Sequence, residues 1–375
     1  MFPRAPVAIA ARRLQQPRPD RGRRRERGAA PVGTRPSLPA HRPGSTIVHP
    51  VLNRGPTMRA IFLDYATVSF DGDLDPSSLQ RALPGIELRA HTPQAEVGAV
   101  VAGAAVVLVN KLRIAREVIE RAPALRLVAL AATGTNNVDL EAARDHGVAV
   151  CNLRDYCTAS VVQHVFGLLL ALTQRLREYD SLVRSGAWQH GERFCLLDFP
   201  IRELTGRRLG IVGYGTLGRG VAHAARAFGM EVLVANRPGG ERVPGRVDLE
   251  ELLPQADVLS LHCPLTPATT GLIGAAQLSR MKPDAVLVNT ARGALVDSVA
   301  LADALRAGRL GGAAVDVLPQ EPPVGGDPLL ACDIPNLIVT PHVAWAAREA
   351  RQRCLDEMAA NVEDFRRGGR RGRVV

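Results

Sequence analysis

The run GYGTLG (213–218) constrains this chain more than any other feature. It follows the apolar run RLGIV, opens the helix-like stretch RGVAHAARAFG, and precedes a second apolar run, EVLVAN. In the order strand, glycine turn, helix, strand, a G-x-G-x-x-G run reads as a dinucleotide cradle. Gly213 permits the tight turn, Gly215 lets backbone approach a pyrophosphate, and Gly218 allows close helix–strand packing. The helix start adds unpartnered N–H groups and a dipole that favours phosphate. About 20 residues on, such folds hold an acid for the ribose hydroxyls. Here VLVANRPGG (232–240) carries Asn236 followed by Arg237. Asn can bond a hydroxyl without repelling a 2′-phosphate, and Arg237 can pair with one. The site therefore reads as one for NAD(P)H, with dual use or NADP(H) favoured.

Around this unit, strand and helix signals alternate along the chain. Short Val/Ile/Leu-rich runs at 59–66, 104–111, 148–152, 257–264, 285–291, 311–318 and 336–342 read as buried parallel strands, and 125–139 as a strand running into a polar turn. Helical spacing falls at 75–85, 140–147, 274–282, 298–308 and 345–368. Residues 158–186 read as one long helix, with Thr158 and Ser160 as candidate caps and His164 as a packing residue. The fold class is α/β, with two Rossmann/flavodoxin-like doubly wound lobes. The cofactor lobe, 157–340, is inserted into a discontinuous substrate lobe, 58–156 plus 341–375, and the two chain crossings form a hinge.

The net charge of +10 suggests nucleic acid until it is located. Residues 1–57 hold 12 Arg against Asp20 and Glu26, which accounts for the whole excess; the remainder is balanced, 35 basic to 35 acidic. This Arg/Pro-rich leader has no apolar periodicity and reads as disordered, ahead of a plausible start at Met58. A targeting segment and a nucleic-acid-binding arm are the alternatives. The body itself points to no nucleic acid. Its apolar runs are too short to span a bilayer, so no membrane is expected. The six cysteines form no CxxC pair, which fits reduced thiols in the cytoplasm and no metal site. The basic end FRRGGRRGR (365–373) reads as a solvated tail.

Three stretches lie at the C-terminal ends of expected strands, where open α/β sheets place ligands: NTARGALVD (289–297), VDVLPQEPP (315–323) and TPHVAW (340–345). They supply Arg292, Asp316, Glu321 and His342. An arginine can clamp a carboxylate through two hydrogen bonds. A histidine can protonate a forming alkoxide, and a nearby carboxylate fixes an imidazole's tautomer. The set suits hydride chemistry on a 2-oxo acid.

With these motifs, together with LHCPLTPATTGLI (261–273) and MKPDAVLVNTARGALVD (281–297), residues 58–375 resemble the D-isomer-specific 2-hydroxyacid dehydrogenases. Stretches 133–152, 157–172 and 194–206 are most similar to its hydroxypyruvate reductases, or glycerate dehydrogenases. The resemblance implies that Arg292 binds the substrate carboxylate and carbonyl, and that Glu321 pairs with His342, the general acid for reduction. It implies that Asp316 holds the nicotinamide carboxamide, that backbone at Cys263 and Thr290 lines the cofactor, and that Thr216 and Leu217 meet the pyrophosphate. Thr133 would approach the nicotinamide end and N–H groups around Gly134 would hold the substrate carboxylate. Asn110 and Lys111 would lie in the substrate loop, and Trp345 would wall the substrate pocket or pack the seam between lobes. Hydride delivery to one carbonyl face would give the D alcohol. FCLLDFPIRELTG (194–206) would reach across a homodimer. The implied activity is reduction of hydroxypyruvate or glyoxylate. Alternatives are another D-2-hydroxyacid dehydrogenase, for larger 2-oxo acids or phosphoglycerate, and a dinucleotide-sensing corepressor of the same fold.

Overall fold

The computed structural model describes residues 58–375; the Arg-rich leader lies outside the described residues. In the first part of the chain, five strands alternate with short helices: β1 (Ala60–Phe62), α1 (Ser77–Ala82), β2 (Glu87–Leu88), α2 (Val97–Val101), β3 (Val106–Val109), α3 (Arg116–Glu120), β4 (Leu127–Leu130), α4 (Leu140–Asp145) and β5 (Ala149–Cys151). Two helices follow, α5 (Thr158–Thr173) and α6 (Leu176–Arg184). The second part runs β6 (Arg208–Val212), α7 (Thr216–Ala227), β7 (Glu231–Val234), α8 (Leu249–Leu252), β8 (Val258–Leu261), α9 (Ala275–Leu278), β9 (Val286–Asn289), α10 (Ser298–Arg306), β10 (Gly312–Val315), β11 (Leu337–Val339) and α11 (Arg348–Arg366).

The strands form two all-parallel sheets, ordered β2-β1-β3-β4-β5 and β11-β10-β9-β8-β6-β7. Helices on both faces bury the strands, so β3, β4, β8 and β9 are apolar or buried throughout rather than alternating. In the second sheet the strand order reverses between β6 and β8, which opens a crevice at their carboxyl ends. One apolar cluster runs from Phe62 and Leu127 through Val165 and Leu169 of α5 to Val221 and Val288. Helix α5 is thus core to both sheets, which explains why its sequence is apolar around most of its surface. Gly220 of α7 lets α5 come close, since a Cβ there would press on Val162. Helix α11 returns to the first sheet, against α1 and β4.

Three expectations need correction. The stretch 158–186 is two helices: Arg175 adopts a left-handed conformation, φ 53°, pinned by Asn336 and by Glu178 at 3.3 Å. The break comes where apolar sequence gives way to TQRLREY, which has no core to enter. Thr158 and Ser160 do not cap α5; Cys157 is its N-cap and Ser160 Oγ bonds Ala344 O instead, at 2.7 Å. The basic C-terminus is docked on the first sheet: Val374 N donates to Val150 O at 2.8 Å and Asn152 N to Gly372 O at 2.9 Å, beside an antiparallel bridge from Cys151 to Arg373. The edge strand β5 offers unpaired backbone groups, and pairing them docks the segment's backbone while Arg370 and Arg371 stay exposed. Among the described residues no helix is long and apolar enough to cross a membrane, and no group of three or more His, Cys, Asp or Glu side chains could hold a metal ion.

Candidate active site

Strand β6 ends at Val212 and the chain turns at Gly213, whose φ of 96° lies where side chains are disfavoured. A Cβ there would strike the backbone of His262 and Cys263 after β8. Gly215 is the N-cap of α7, and a side chain on it would meet nothing within 4 Å. Gly218 packs on the Gly213 carbonyl. The three glycines therefore draw β6, the end of β8 and α7 together around open space at the reversal of strand order. Thr216 and Leu217 occupy the first turn of α7, where amides lack intrahelical acceptors. Nearby, at the ends of β9 and β8, the buried Thr290 Oγ1 and His262 Nδ1 have no hydrogen-bond partner. An open cradle with a helix N-terminus and unpartnered polar atoms fits a dinucleotide. His262 Nε2 lies 2.8 Å from Ser260 Oγ, and burial holds this imidazole's pKa down at about 4.

At the end of β7, the Asn236 amide is already engaged. Its Nδ2 donates to Asp248 Oδ1 at 2.8 Å, and its Oδ1 accepts from Val243 N at 3.0 Å. Asn236 thus ties down the loop that carries Arg237, Arg242 and Arg246. Arg242 pairs with the same Asp248, and the Arg246 guanidinium lies 5.7 Å from the Tyr214 ring centroid. Asp248 was not evident from sequence; it lies 12 residues after Asn236 and is brought back by the bridge between Ala235 and Val247.

Helices and loops of both sheets converge on a cleft of about 790 Å³, walled by Val68, Leu318, Leu330 and Trp345 and carrying Lys111, Glu321 and His342. His342 Nδ1 is 2.6 Å from Glu321 Oε2, whose other oxygen accepts from Leu318 N at 2.9 Å. Burial alone would raise the Glu321 pKa, but hydrogen bonds from His342 and Leu318 and the nearby charges of His342 and Lys111 hold it below the usual value. The carboxylate therefore accepts a proton-bearing Nδ1, leaving Nε2 for the cleft. His342 has φ 57°, a conformation that costs a non-glycine residue about 1–2 kcal/mol. It is held there by backbone bonds from His342 N to Asp316 O at 2.7 Å and to Thr340 O at 3.0 Å.

Lys111 Nζ lies 5.8 Å from the Trp345 ring centroid, and Trp345 Nε1 donates to His342 O at 3.0 Å. Desolvation in the cleft pushes the Lys111 pKa below the ordinary lysine value; Glu321 pulls it back up, Arg292 pushes it down and Asp64 pulls it up. Asp64, 1% exposed, holds the Lys111 loop by accepting from Asn110 N at 2.9 Å, Lys111 N at 2.6 Å and Leu112 N at 3.2 Å. This acid at the end of β1 escaped sequence reasoning; its signal is a lone carboxylate closing an apolar strand, in IFLD. Asn110 is itself buried, its amide donating to Thr67 Oγ1 at 2.9 Å, so it braces the loop from behind. Arg292 donates to Ala291 O at 2.7 Å, and its guanidinium abuts Gly134, where a Cβ would lie 2.6 Å from Nη2. The neighbouring Thr133 carbonyl accepts from Asn152 Nδ2 at 2.7 Å. Asp316 is 1% exposed and both its oxygens have internal donors: Thr340 Oγ1 at 2.6 Å, Val343 N at 2.9 Å and Ala344 N at 2.9 Å.

Known proteins place this arrangement. Residues 166–344 match the model of the D-isomer specific 2-hydroxyacid dehydrogenase NAD-binding domain. The chain is 48% identical over 263 residues to a glycerate dehydrogenase of Methylorubrum extorquens, covering 70% of this chain and 83% of the relative. It is 37% identical over 317 residues to a hydroxypyruvate reductase of Blautia hydrogenotrophica, covering 83% of this chain and 98% of that one. The solved structure of an acyclic imino acid reductase in complex with NADPH and D-Arg superposes with a TM-score of 0.73 at 28% identity, covering 85% of this chain and all of that one. A glycine cradle at the β6–α7 turn and a His–Glu pair in the cleft, in a sequence this similar, make the chain a member of the D-isomer specific 2-hydroxyacid dehydrogenase family.

Proposed function

We propose that the enzyme reduces hydroxypyruvate, and glyoxylate with it, to the corresponding D-glycerate and glycolate, reversibly. The observation that carries this reading is the 2.6 Å contact between His342 Nδ1 and Glu321 Oε2 at the rim of the cleft that Lys111 also lines. The names of the glycerate dehydrogenase and hydroxypyruvate reductase relatives support the substrate assignment. A reduced nicotinamide dinucleotide, when held by this cradle, would supply the hydride. Arg292, beside Gly134, orients the substrate carboxylate and carbonyl, and Lys111, close enough for Arg292 to disfavour its charge, adds a second cation. His342 gives its Nε2 proton to the developing alkoxide while Glu321 holds the ring and balances its charge. In the oxidative direction His342 takes that proton back. Gly213, Gly215, Thr216, Leu217, Gly218, Cys263 and Thr290 form the cofactor cradle.

The cofactor reading favours NADP(H) or dual use. Asn236 carries no charge to repel a 2′-phosphate, and the loop after it presents Arg237 and Arg242. The similar NADPH-bound reductase supports it. The two lobes, divided near residues 157 and 340, close on each other about the chain crossings to exclude water. The enzyme works as a cytoplasmic homodimer. The segment before β6 supports pairing, because it exposes Phe194 (93%), Leu197 (77%) and Ile201 (50%) without helix or strand to bury them.

Initial rates with hydroxypyruvate, glyoxylate, pyruvate and phosphohydroxypyruvate, each with NADH and NADPH, test the reading. The expected result is the highest kcat/KM for hydroxypyruvate, followed by glyoxylate. Cofactor binding without oxidation of either dinucleotide by any of the four acids would sink it and favour the corepressor alternative. His342→Ala should lower kcat at least about a hundredfold.

A further inference from the structure

Among the described residues, His164 of α5 is a half-buried histidine that the mechanism leaves unused and that touches the groups around His342. Its Nε2 lies 3.1 Å from Thr340 Oγ1 and 3.5 Å from Asp316 Oδ1. The direction of the hydrogen bonds follows from proton counting. Thr340 Oγ1 is 2.6 Å from Asp316 Oδ1. Burial would favour a neutral Asp316, but bonds from His164, Thr340, Ala344 N and Val343 N outweigh it and keep the carboxyl ionised. An ionised carboxylate only accepts, so the single hydroxyl hydrogen of Thr340 is spent on it. Thr340 Oγ1 must then accept from His164, which fixes a hydrogen on Nε2. The chain of donors runs from His164 to Thr340 to Asp316. The same carboxylate grips Val343 N and Ala344 N, the two residues after His342. One helical turn earlier, Ser160 Oγ donates to Ala344 O at 2.7 Å and accepts from Ala347 N at 3.2 Å. Two polar side chains spaced four apart on a largely apolar helix thus hold the crossing segment on which His342 sits.

We infer that His164 is a positioning residue: through Thr340 and Asp316 it fixes the left-handed backbone at His342 and so aims the proton donor. The inference rests on the reading of His342 as that donor. A part-buried bond to a charged network, once removed, weakens the hold on its partners. The reaction should lose rate rather than affinity, because the misaimed group acts only as the alkoxide forms.

The experiment compares His164→Met, His164→Gln, Thr340→Val and the double variant His164→Met/Thr340→Val with hydroxypyruvate and NADPH. His164→Met should lower kcat about ten- to a hundredfold, with KM for hydroxypyruvate and the Kd of NADPH within about threefold. His164→Gln, whose amide nitrogen can reach the place of Nε2, should restore kcat to within about threefold of wild type. Thr340→Val should match His164→Met, and the double variant should be no slower than either, as members of one relay are not additive. An unchanged kcat in His164→Met, a failure of Gln to rescue, or additive losses would each overturn the relay. Should His164→Met not fold, Thr340→Val, which exchanges a hydroxyl for a methyl, decides alone. His342→Ala run alongside separates the two readings. A near-wild-type His342→Ala removes the donor and the relay's purpose together, whereas an inactive His342→Ala beside a fully active His164→Met removes the relay only.

Discussion

Replacing Asn236 by Glu should split the two cofactors apart. In the native loop the Asn236 amide sits 2.8 Å from Asp248 Oδ1 and 3.0 Å from Val243 N. A carboxylate in its place keeps the bond from Val243 but faces the Asp248 carboxylate. Two unit charges about 4 Å apart repel by about 4 kcal/mol at an effective dielectric near 20. The Asp248 side chain is 33% exposed and paired with Arg242, so screening and pairing reduce that to about 1–2 kcal/mol of lost loop stability. The new charge also repels a 2′-phosphate while offering acceptors to ribose hydroxyls, and it removes Arg242 as a phosphate partner by pairing with it. A net change of about 1.4–2.8 kcal/mol corresponds to a ten- to hundredfold fall in the NADPH-to-NADH ratio of kcat/KM. Initial rates with hydroxypyruvate at fixed ionic strength measure the ratio, and thermal unfolding follows the loop. Adding Asp248→Asn should recover the melting temperature and leave the new selectivity in place. A ratio that stays within about threefold of the native value would refute both the placement of the phosphate near this loop and the reading of Asn236 as permissive.

Gly218→Ala should cut dinucleotide affinity at least about tenfold in a fluorescence titration and lower the melting temperature by several degrees, because its Cβ meets the Gly213 carbonyl, with Ile211 Cγ2 at 3.3 Å; native affinity would show that the turn is not the cradle. The lowered Lys111 pKa means that its charge is lost at a pH below 10.5, the ordinary lysine value, so KM for the 2-oxo acid should climb on the alkaline side before that pH. The same lowered value makes the charged lysine a small burden on the fold that lifts as pH rises. Lys111→Arg, charged throughout, should flatten the alkaline rise in KM, and an identical rise in this variant would remove Lys111 from substrate binding. His262 titrates at about 4 in the folded chain against 6.5 in its unpaired form. The unfolded state therefore binds the extra proton between those values, and stability falls as pH drops through that window. The difference is about 3 kcal/mol at a pH of about 4. His262→Asn should lose that dependence in urea unfolding followed from neutral pH down through the window, and parallel curves for the two proteins would show that His262 is not buried neutral.

The fold was legible because its strands are short and hydrophobic on both sides, which only parallel sheets covered by helices can bury. The glycine turn was legible for a related reason: Gly213 and Gly218 each answer a backbone clash set by neighbours close in sequence or fixed by the strand order. The helix break at Arg175 was not, since what stabilises it is Asn336, 161 residues away. The fate of the C-terminal arginines was hidden likewise. Charge suggested solvent, whereas the unpaired edge of β5 draws the backbone of that segment regardless of its side chains.

The site shows the same division between chemistry carried by a side chain and chemistry carried by its surroundings. Arg292, Glu321 and His342 could be named because their own functional groups suit a 2-oxo acid. Asn110, Asn236 and Asp316 have functional groups just as suggestive, yet each is already engaged within the protein: on Thr67, on Asp248 and Val243, and on Thr340, Val343 and Ala344. A polar residue near a ligand cleft has two claims on its hydrogen bonds, and burial decides between them, because an unpaired polar group in the interior costs more than a later bond to a ligand would return. Asn110 and Asp316 are 4% and 1% exposed, so both meet internal donors or acceptors first, while Asp316 still lines the cleft. His342 escapes that competition through backbone geometry. Its left-handed φ turns the ring out toward Glu321 and the cleft, while its own backbone and that of the next two residues are held by Asp316. No local pattern encodes that arrangement, because the residues that enforce it come from the end of β10, from α5 and from the crossing segment itself. It arises only when the two sheets share the core of α5, which is why a motif could nominate His342 as the proposed proton donor but not the residues that hold its backbone.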